Sequence, residues 1–550
     1  MTLSGVVRTS DSQSLAHDKQ KSGPAQGNQF ESWLETHSEF VALVIVGIGL
    51  VARLSMAWGT FLNPDEAFHF FIANRASWTQ AYDASLSMAH PPLLIFVLYW
   101  WRALGSSEFV LRMPSVLAGT AFCWIFFQWL RGIFGRTVGL MGLVFVALLP
   151  RQVSLSAEVR QYQLLLLFLI SAAYFLERAV AENSPGQMLL SSVCLYLAMI
   201  SHYSAFLFVA AIGVYAALRM IRRRVPRKVA ISWGLGQLGA LGLAVFLYMT
   251  HISRIKGTTI AVQAFQLWLY RSYFHPGHGH VFTFALTRSF SVFQYLLGQL
   301  VIGDIAGLLF ITGIILLRSN ARSRRPDVPV LPVGCLLVLP FLLNCSAALV
   351  GVYPYGGTRH CVFLVIFTAA GISLGLARIA GGRALPGIGL AVLTVLLCYA
   401  FRTLYTIDLP RADQSRTQMQ RAIAFVRERI PPSQPILVDY ETSLELGHYL
   451  CEQQPISYDN STPGFNVFYC GAHRIVSTTP DIWTFGSPTL EAWNKFVRGA
   501  GFRRGDPVWV AQAGWSVALA DELQKNYAEF RQLQKQAFGR NIVFFRMLVD

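Results

Sequence analysis

Acidic side chains are scarce in this chain. It holds 29 Asp and Glu against 45 Lys and Arg, and charged residues fill only 13% of its 550 positions, which excludes a charge-rich disordered protein. Apolar–polar alternation is missing from its hydrophobic runs, so a transmembrane β-barrel is excluded as well. No internal repeat is evident, which disfavours a repeat-built transporter. Cysteine is sparse and mostly uninformative. Six of the eight (Cys123, Cys194, Cys335, Cys345, Cys361 and Cys398) fall in or beside apolar runs and read as small hydrophobes. Only Cys451 and Cys470 lie in a polar region, where a disulfide is conceivable and spacing alone does not decide it.

Long apolar runs are plentiful. They lie near 40–58, 109–130, 136–150, 161–180, 187–200, 203–220, 229–250, 293–317, 330–351, 360–377 and 385–404. Crossing the hydrocarbon core takes roughly 20 apolar residues, so the fold class is a polytopic α-helical membrane protein of about 11 spans, with a range of 11–13. Residues 1–38 are polar and rich in Ser, Gln and Gly, which predicts a disordered tail. The first run starts too late and runs too long for a cleaved signal peptide.

Cations orient the chain. Arg219, Arg222, Arg223, Arg224, Arg227 and Lys228 share one short loop with no acid, Arg318–Arg325 supplies four more, and Arg131/Arg136 and Arg378/Arg383 mark two further loops. The positive-inside rule makes these loops cytoplasmic. The net charge of +16 is therefore a topology signal, and no nucleic-acid partner is expected. The run at 91–104 is too short to span; treated as a juxtamembrane segment, it keeps the parity of the remaining spans. The outer face then collects 61–108, 151–161, 201–203, 251–292, 353–360 and everything after 405, with the N-terminus inside.

Asp65-Glu66 directly follows the first run and stands out in so acid-poor a chain. The plain reading has Asp65 capping a helix that begins near Ala67. The functional reading is a base at the mouth of a membrane cavity, since ionisable residues at a membrane edge often serve function. Similar plain alternatives hold elsewhere. Arg112 could snorkel or pair with Glu108, Glu158 with Arg160 could be an interfacial ion pair, Arg359-His360 could anchor a span, and Arg53 is expected to snorkel.

The motifs Asn63-Pro64-Asp65-Glu66, His90-Pro91-Pro92-Leu93, Arg112-Met113-Pro114-Ser115 with Gly119, Glu158-Val159-Arg160-Gln161-Tyr162, His202-Tyr203 and Tyr353-Pro354-Tyr355 through Arg359 occur in that order. Together they resemble the GT-C glycosyltransferases, in the branch of protein O-mannosyltransferases and lipid A aminoarabinose transferases. The resemblance implies a catalytic membrane domain over 39–405 with a first outer loop at 60–108. It also implies a polyprenyl-phosphate sugar donor, membrane lipids as surroundings, and a lipid, glycan or protein acceptor. Asp65 is then the expected general base, with Glu66 beside it. His90, Arg112, Glu158, Arg160, Tyr162, His202 and Arg359 are expected around the donor and its phosphate. No cofactor is expected. A metal is not favoured, because Ala89 stands where some relatives carry an acid and His275, His278 and His280 have no adjacent Cys or carboxylate. The expected setting is a bacterial inner membrane. A transporter or flippase of lipid-linked saccharides is the alternative function.

Residues 406–550 change character. Helical periodicity at 414–429 and 442–450, a helix near 516–524, and strand-like runs at 435–440, 508–513 and 541–548 predict a small extracytoplasmic α/β domain.

Overall fold

The computed structural model describes residues 26–256, 258, 261–262, 264–317, 330–401, 415–451, 465–479, 505–513 and 530–549. Among them, seven helices are long and apolar enough to cross a membrane: Ser38–Gly59, Glu108–Phe134, Tyr162–Glu182, Ala205–Arg223, Arg227–Ile255, Val330–Leu349 and Arg359–Ile379. Two bent pairs and the shorter apolar helices Pro185–Met199 and Ala384–Ala400 account for the other expected spans. Leu93–Leu104 is again too short to cross.

The bends explain two departures from expectation. Arg136–Leu148 and Pro150–Ser156 meet at 58°. Pro150 has no N–H to donate to the carbonyl of Val146. Arg53 fills that gap: its guanidinium donates to Val146 O at 3.0 Å and Ala147 O at 2.7 Å, and to Ser156 Oγ at 3.0 Å. It is buried and does not snorkel. The second pair, Val281–Leu297 and Leu300–Ile315, turns through 115°, so the run expected at 293–317 is not one straight span. Gly298, at φ 73°, ends the first helix in the left-handed region that glycine adopts without strain. Phe293, Leu296 and Leu297 bury in the main core as the expected span requires, and Val292, expected in the outer segment 251–292, buries with them.

The tail also differs. Residues 26–36 form a helix, and Glu31 accepts the backbone N–H groups of Ala384 and Leu385 at the start of the last span. Residues 1–25 lie outside the described residues.

The C-terminal region forms a six-stranded mixed sheet. Its strands are β1 (Ile436–Val438), β2 (Phe465–Cys470), β3 (His473–Thr478), β4 (Pro507–Ala513), β5 (Phe530–Ala537) and β6 (Ile542–Val549), in the order β2-β3-β1-β4-β6-β5. β1 runs parallel to β3 and β4, and the remaining pairs are antiparallel. Helix Arg416–Arg429 buries Met419, Ala422, Ile423 and Val426 against Trp509 and Phe544. Cys451 and Cys470 form a disulfide between the end of helix Tyr440–Tyr449 and β2. That helix docks on the first loop: Tyr440 and Leu444 pack with Ala67, and Tyr449 OH accepts Leu62 N–H at 2.7 Å. The expected helix near 516–524 lies outside the described residues.

Candidate functional site

Asn63 and Pro64 fix the acidic pair in space. Pro64 opens helix Pro64–Ala73, where its missing N–H costs nothing, and Asn63 is the N-cap. Asn63 Oδ1 accepts Glu66 N–H at 3.0 Å while Glu66 Oε2 accepts Asn63 N–H at 3.0 Å, a reciprocal capping box. Asp65 is therefore not the cap, and the helix starts before Ala67. The cap also turns the two carboxylates to different surroundings.

Glu66 is enclosed. Arg112 grips it bidentately, Nε to Oε1 and Nη2 to Oε2, both at 2.9 Å, and Val159 N–H donates to Oε1 at 2.8 Å. The remaining Arg112 donors go to Ala57 O, Thr60 O, Thr60 Oγ1 and Phe61 O. Both side chains are 0% exposed. Arg112 was expected on the donor phosphate. Here its guanidinium instead joins the end of the first span, the acid-bearing helix and helix Glu108–Phe134. Removing one partner of such a buried pair costs about 3–5 kcal/mol.

Asp65 faces the other way. Its Oδ2 takes Arg160 Nη1 at 2.8 Å and Arg359 Nη1 at 2.6 Å. Its side chain is 14% exposed, Arg160 is 3% exposed and Arg359 36%, so one cation is held and the other can swing. Burial pushes the Asp65 carboxyl up, but Arg160 and then Arg359 outweigh it and hold the group well below the usual carboxylate range. Arg160 also donates to Tyr162 OH at 3.2 Å, and its buried Nε has no partner among the described residues. Loop 353–359 presents Arg359, and Ser291 pins that loop by accepting Gly357 N–H at 2.9 Å. Glu158 lies in the same buried turn as Arg160 and within electrostatic reach of Arg359.

Four imidazoles gather beside this pair. His90 stacks on His69 at 6.4 Å and on His202 at 5.2 Å, and lies 6.4 Å from His360, while His202 also touches Tyr162 at 5.5 Å. His69 is one helical turn beyond Asp65, and its Nδ1 bonds the Asp65 main-chain oxygen. Its Nε2 is then buried without a partner among the described residues. Burial, and then Arg160, lower its pKa to about 3. Burial and neighbouring cationic or imidazole groups likewise keep His90 and His202 well below their ordinary value. These rings are neutral hydrogen-bonding groups at neutral pH, not added cations.

The structure thus gathers Asp65, His90, Arg160, Tyr162, His202 and Arg359 into one cluster, with Glu158 in the same turn. It puts Glu66 and Arg112 in the wall behind. His69 and His360 complete the cluster and were not among the expected site residues. The spacing of four from Asp65 was the signal for His69; adjacency to Arg359 was the signal for His360. Among the described residues, no three His, Cys, Asp or Glu side chains are grouped to hold a metal ion. His275 instead stacks on Tyr270 at 3.9 Å and bonds its carbonyl oxygen, and His278 and His280 are exposed.

Residues 89–252 match the family model described as dolichyl-phosphate-mannose-protein mannosyltransferase, a stretch that includes His90, Arg160, Tyr162 and His202. The structure resembles apo ArnT from Cupriavidus metallidurans, with a TM-score of 0.51, 12% identity, and coverage of 92% of this chain and 97% of that one. ArnT from the same organism bound to undecaprenyl phosphate gives a TM-score of 0.48 at the same identity and coverage. The oligosaccharyltransferase AglB from Archaeoglobus fulgidus, with an inhibitory peptide and a dolichol-phosphate, gives 0.43 at 10% identity over 75% of this chain and 63% of that one. A search by sequence among curated proteins finds no match. The fold is ArnT-like: a helical membrane body followed by a small six-stranded C-terminal sheet domain.

Proposed function

We propose that this protein is a glycosyltransferase that moves a sugar from a polyprenyl-phosphate donor to an acceptor hydroxyl on the extracytoplasmic face of a bacterial inner membrane. One observation carries the reading: Asp65 has one carboxylate oxygen clamped by two arginines at a partly open, imidazole-lined mouth. The acceptor oxygen bonds to the anomeric carbon as the bond from that carbon to the phosphate oxygen breaks. The proton goes to Asp65, and the lipid phosphate leaves with its charge balanced by Arg359 and Arg160. One displacement of this kind inverts the sugar carbon.

Order follows from the clamp. With both guanidiniums on Asp65, its basicity is low and proton removal is disfavoured. A donor phosphate competes for Arg359, the more exposed of the two, and frees the base only when the donor is loaded. The neutral histidines supply donors and acceptors for sugar hydroxyls. The outward orientation is supported by the basic loops at the opposite helix ends and by the Cys451–Cys470 disulfide in the docked domain.

The test is transfer of labelled sugar from purified polyprenyl-phosphate donors by the protein in lipid. Asp65→Asn should lower turnover roughly a thousandfold with donor binding retained. Full turnover in that variant removes Asp65 as base, and retention of configuration at the anomeric carbon removes the single displacement.

A further inference from the structure

The core face of the C-terminal sheet ends in polar groups rather than apolar ones. Along β6 the side chains facing helix Arg416–Arg429 are Ile542 and Phe544, both buried in the domain core, and the period of two brings Arg546 to the same face. Arg546 is paired in register with Trp509 on β4 and with Gln534 on β5, so the three side chains form one row across three strands. A bulge between Gln532 and Gln534 sets this register.

The row floors a cavity of about 510 Å³, which is in the ~300–1,000 Å³ range of small-ligand pockets. Phe425 closes one side, its ring 5.5 Å from that of Trp509 in an edge contact, and Arg429 follows one turn later. Trp509 Nε1 donates to Gln434 Oε1 at 2.9 Å, which holds the indole and the amide in fixed relation. Arg546 Nε is buried and has no partner among the described residues, an arrangement that costs free energy until an acceptor arrives. Among the described residues, no Asp or Glu lines the cavity.

We infer that this cavity is a binding site for a saccharide unit carrying a carboxylate or phosphate. Aromatic rings cover the C–H faces of a sugar, amides pair with its hydroxyls, and two guanidiniums take the anionic group. A cationic ligand meets like charge there, and a purely apolar one strands the amides and Arg546. The site is separate from the Asp65 mouth. Phe425 lies nine residues, or ~14 Å of helix, beyond Arg416, which touches Glu108 at the membrane body. That the bound unit belongs to the acceptor rests on the transferase reading; that it binds does not.

Saturation-transfer NMR on the full-length protein in lipid nanodiscs tests the inference, with glucuronic acid, glucose 6-phosphate, glucose and inorganic phosphate as probes. Both acidic sugars should bind at least tenfold more tightly than glucose or phosphate alone. Arg546→Gln and Phe425→Ala should each weaken them at least tenfold, and Arg429→Gln, at an exposed position, serves if either variant fails to fold. Asp65→Asn should leave this binding unchanged, and absence of sugar transfer by the wild-type protein with this binding intact counts against the transferase reading alone. Equal binding of all sugars, binding of inorganic phosphate as tight as that of the acidic sugars, no binding of any probe, or full binding in the folded variants overturns the site.

Discussion

Glu66 and Asp65 are neighbours in sequence, and each meets arginine, yet the two contacts are built for opposite ends. The Glu66–Arg112 side is saturated: both oxygens and the guanidinium nitrogens have fixed partners, and neither side chain reaches solvent. The Asp65 side is strained by excess, with two cations on one oxygen and one of those cations partly exposed. A filled network holds a shape, whereas an unbalanced one is ready to exchange a partner. The difference teaches that burial and pairing, rather than residue type, separate the wall of this site from its working surface.

Substitutions on the two sides should therefore fail differently. The largest structural effect is expected for Arg112→Met or Glu66→Gln, each costing about 3–5 kcal/mol because a buried charge loses its partner. Thermal unfolding in detergent should show it, while Asp65→Asn, which keeps an oxygen facing Arg160 and the partly exposed Arg359, should lose less. Equal loss in all three breaks the comparison. Next in size, Arg359→Lys should raise the donor KM about tenfold with a smaller change in kcat, because an ammonium cannot reproduce bidentate phosphate contact. An unchanged KM would put the phosphate elsewhere.

The last prediction concerns the docked domain. Asp439 caps helix Tyr440–Tyr449 by accepting Thr442 N–H at 2.6 Å, yet burial raises its pKa to about 7, against the lowering effect of that hydrogen bond. Its folded value lies above the ordinary one of ~3.9, so the folded state binds more protons between those values. Stability should fall as pH rises from about 4 to 7 and level off above that. Asp439→Asn keeps a capping oxygen and should flatten this slope in pH-dependent unfolding. An unaltered slope assigns it to another group.

The sequence announced the membrane spans because runs of ~20 apolar residues have few other uses. Asp65, Arg160 and Arg359 could be named from their motifs. Which acid met Arg160 and Arg359 was not legible, since that depends on Asn63 capping the helix and on Arg112 arriving from a second one. The histidine cluster joins residues from His69 to His360, and no local pattern reveals a contact over that separation. β5 escaped notice for a different reason. Its Arg-Gln-Leu-Gln-Lys-Gln run is polar, and an exposed edge strand shows no alternation of apolar and polar positions. Arg53 was misjudged because the carbonyls it satisfies are freed by Pro150, about a hundred residues away.

That last contact bears on how the chain enters its bilayer. Arg53 emerges from the ribosome inside the first hydrophobic helix, 93 residues before Val146 and 103 before Ser156 exist to meet it. During that interval the helix carries an uncompensated cation, at a cost of about 2.5–3.5 kcal/mol for insertion. The most apolar 18-residue stretch within Ser38–Gly59 has a mean hydropathy of 2.3, the highest of the seven long helices, which offsets it. The first span thus waits in the membrane for its partner, and the second of the bent helices is completed around a guanidinium already in place.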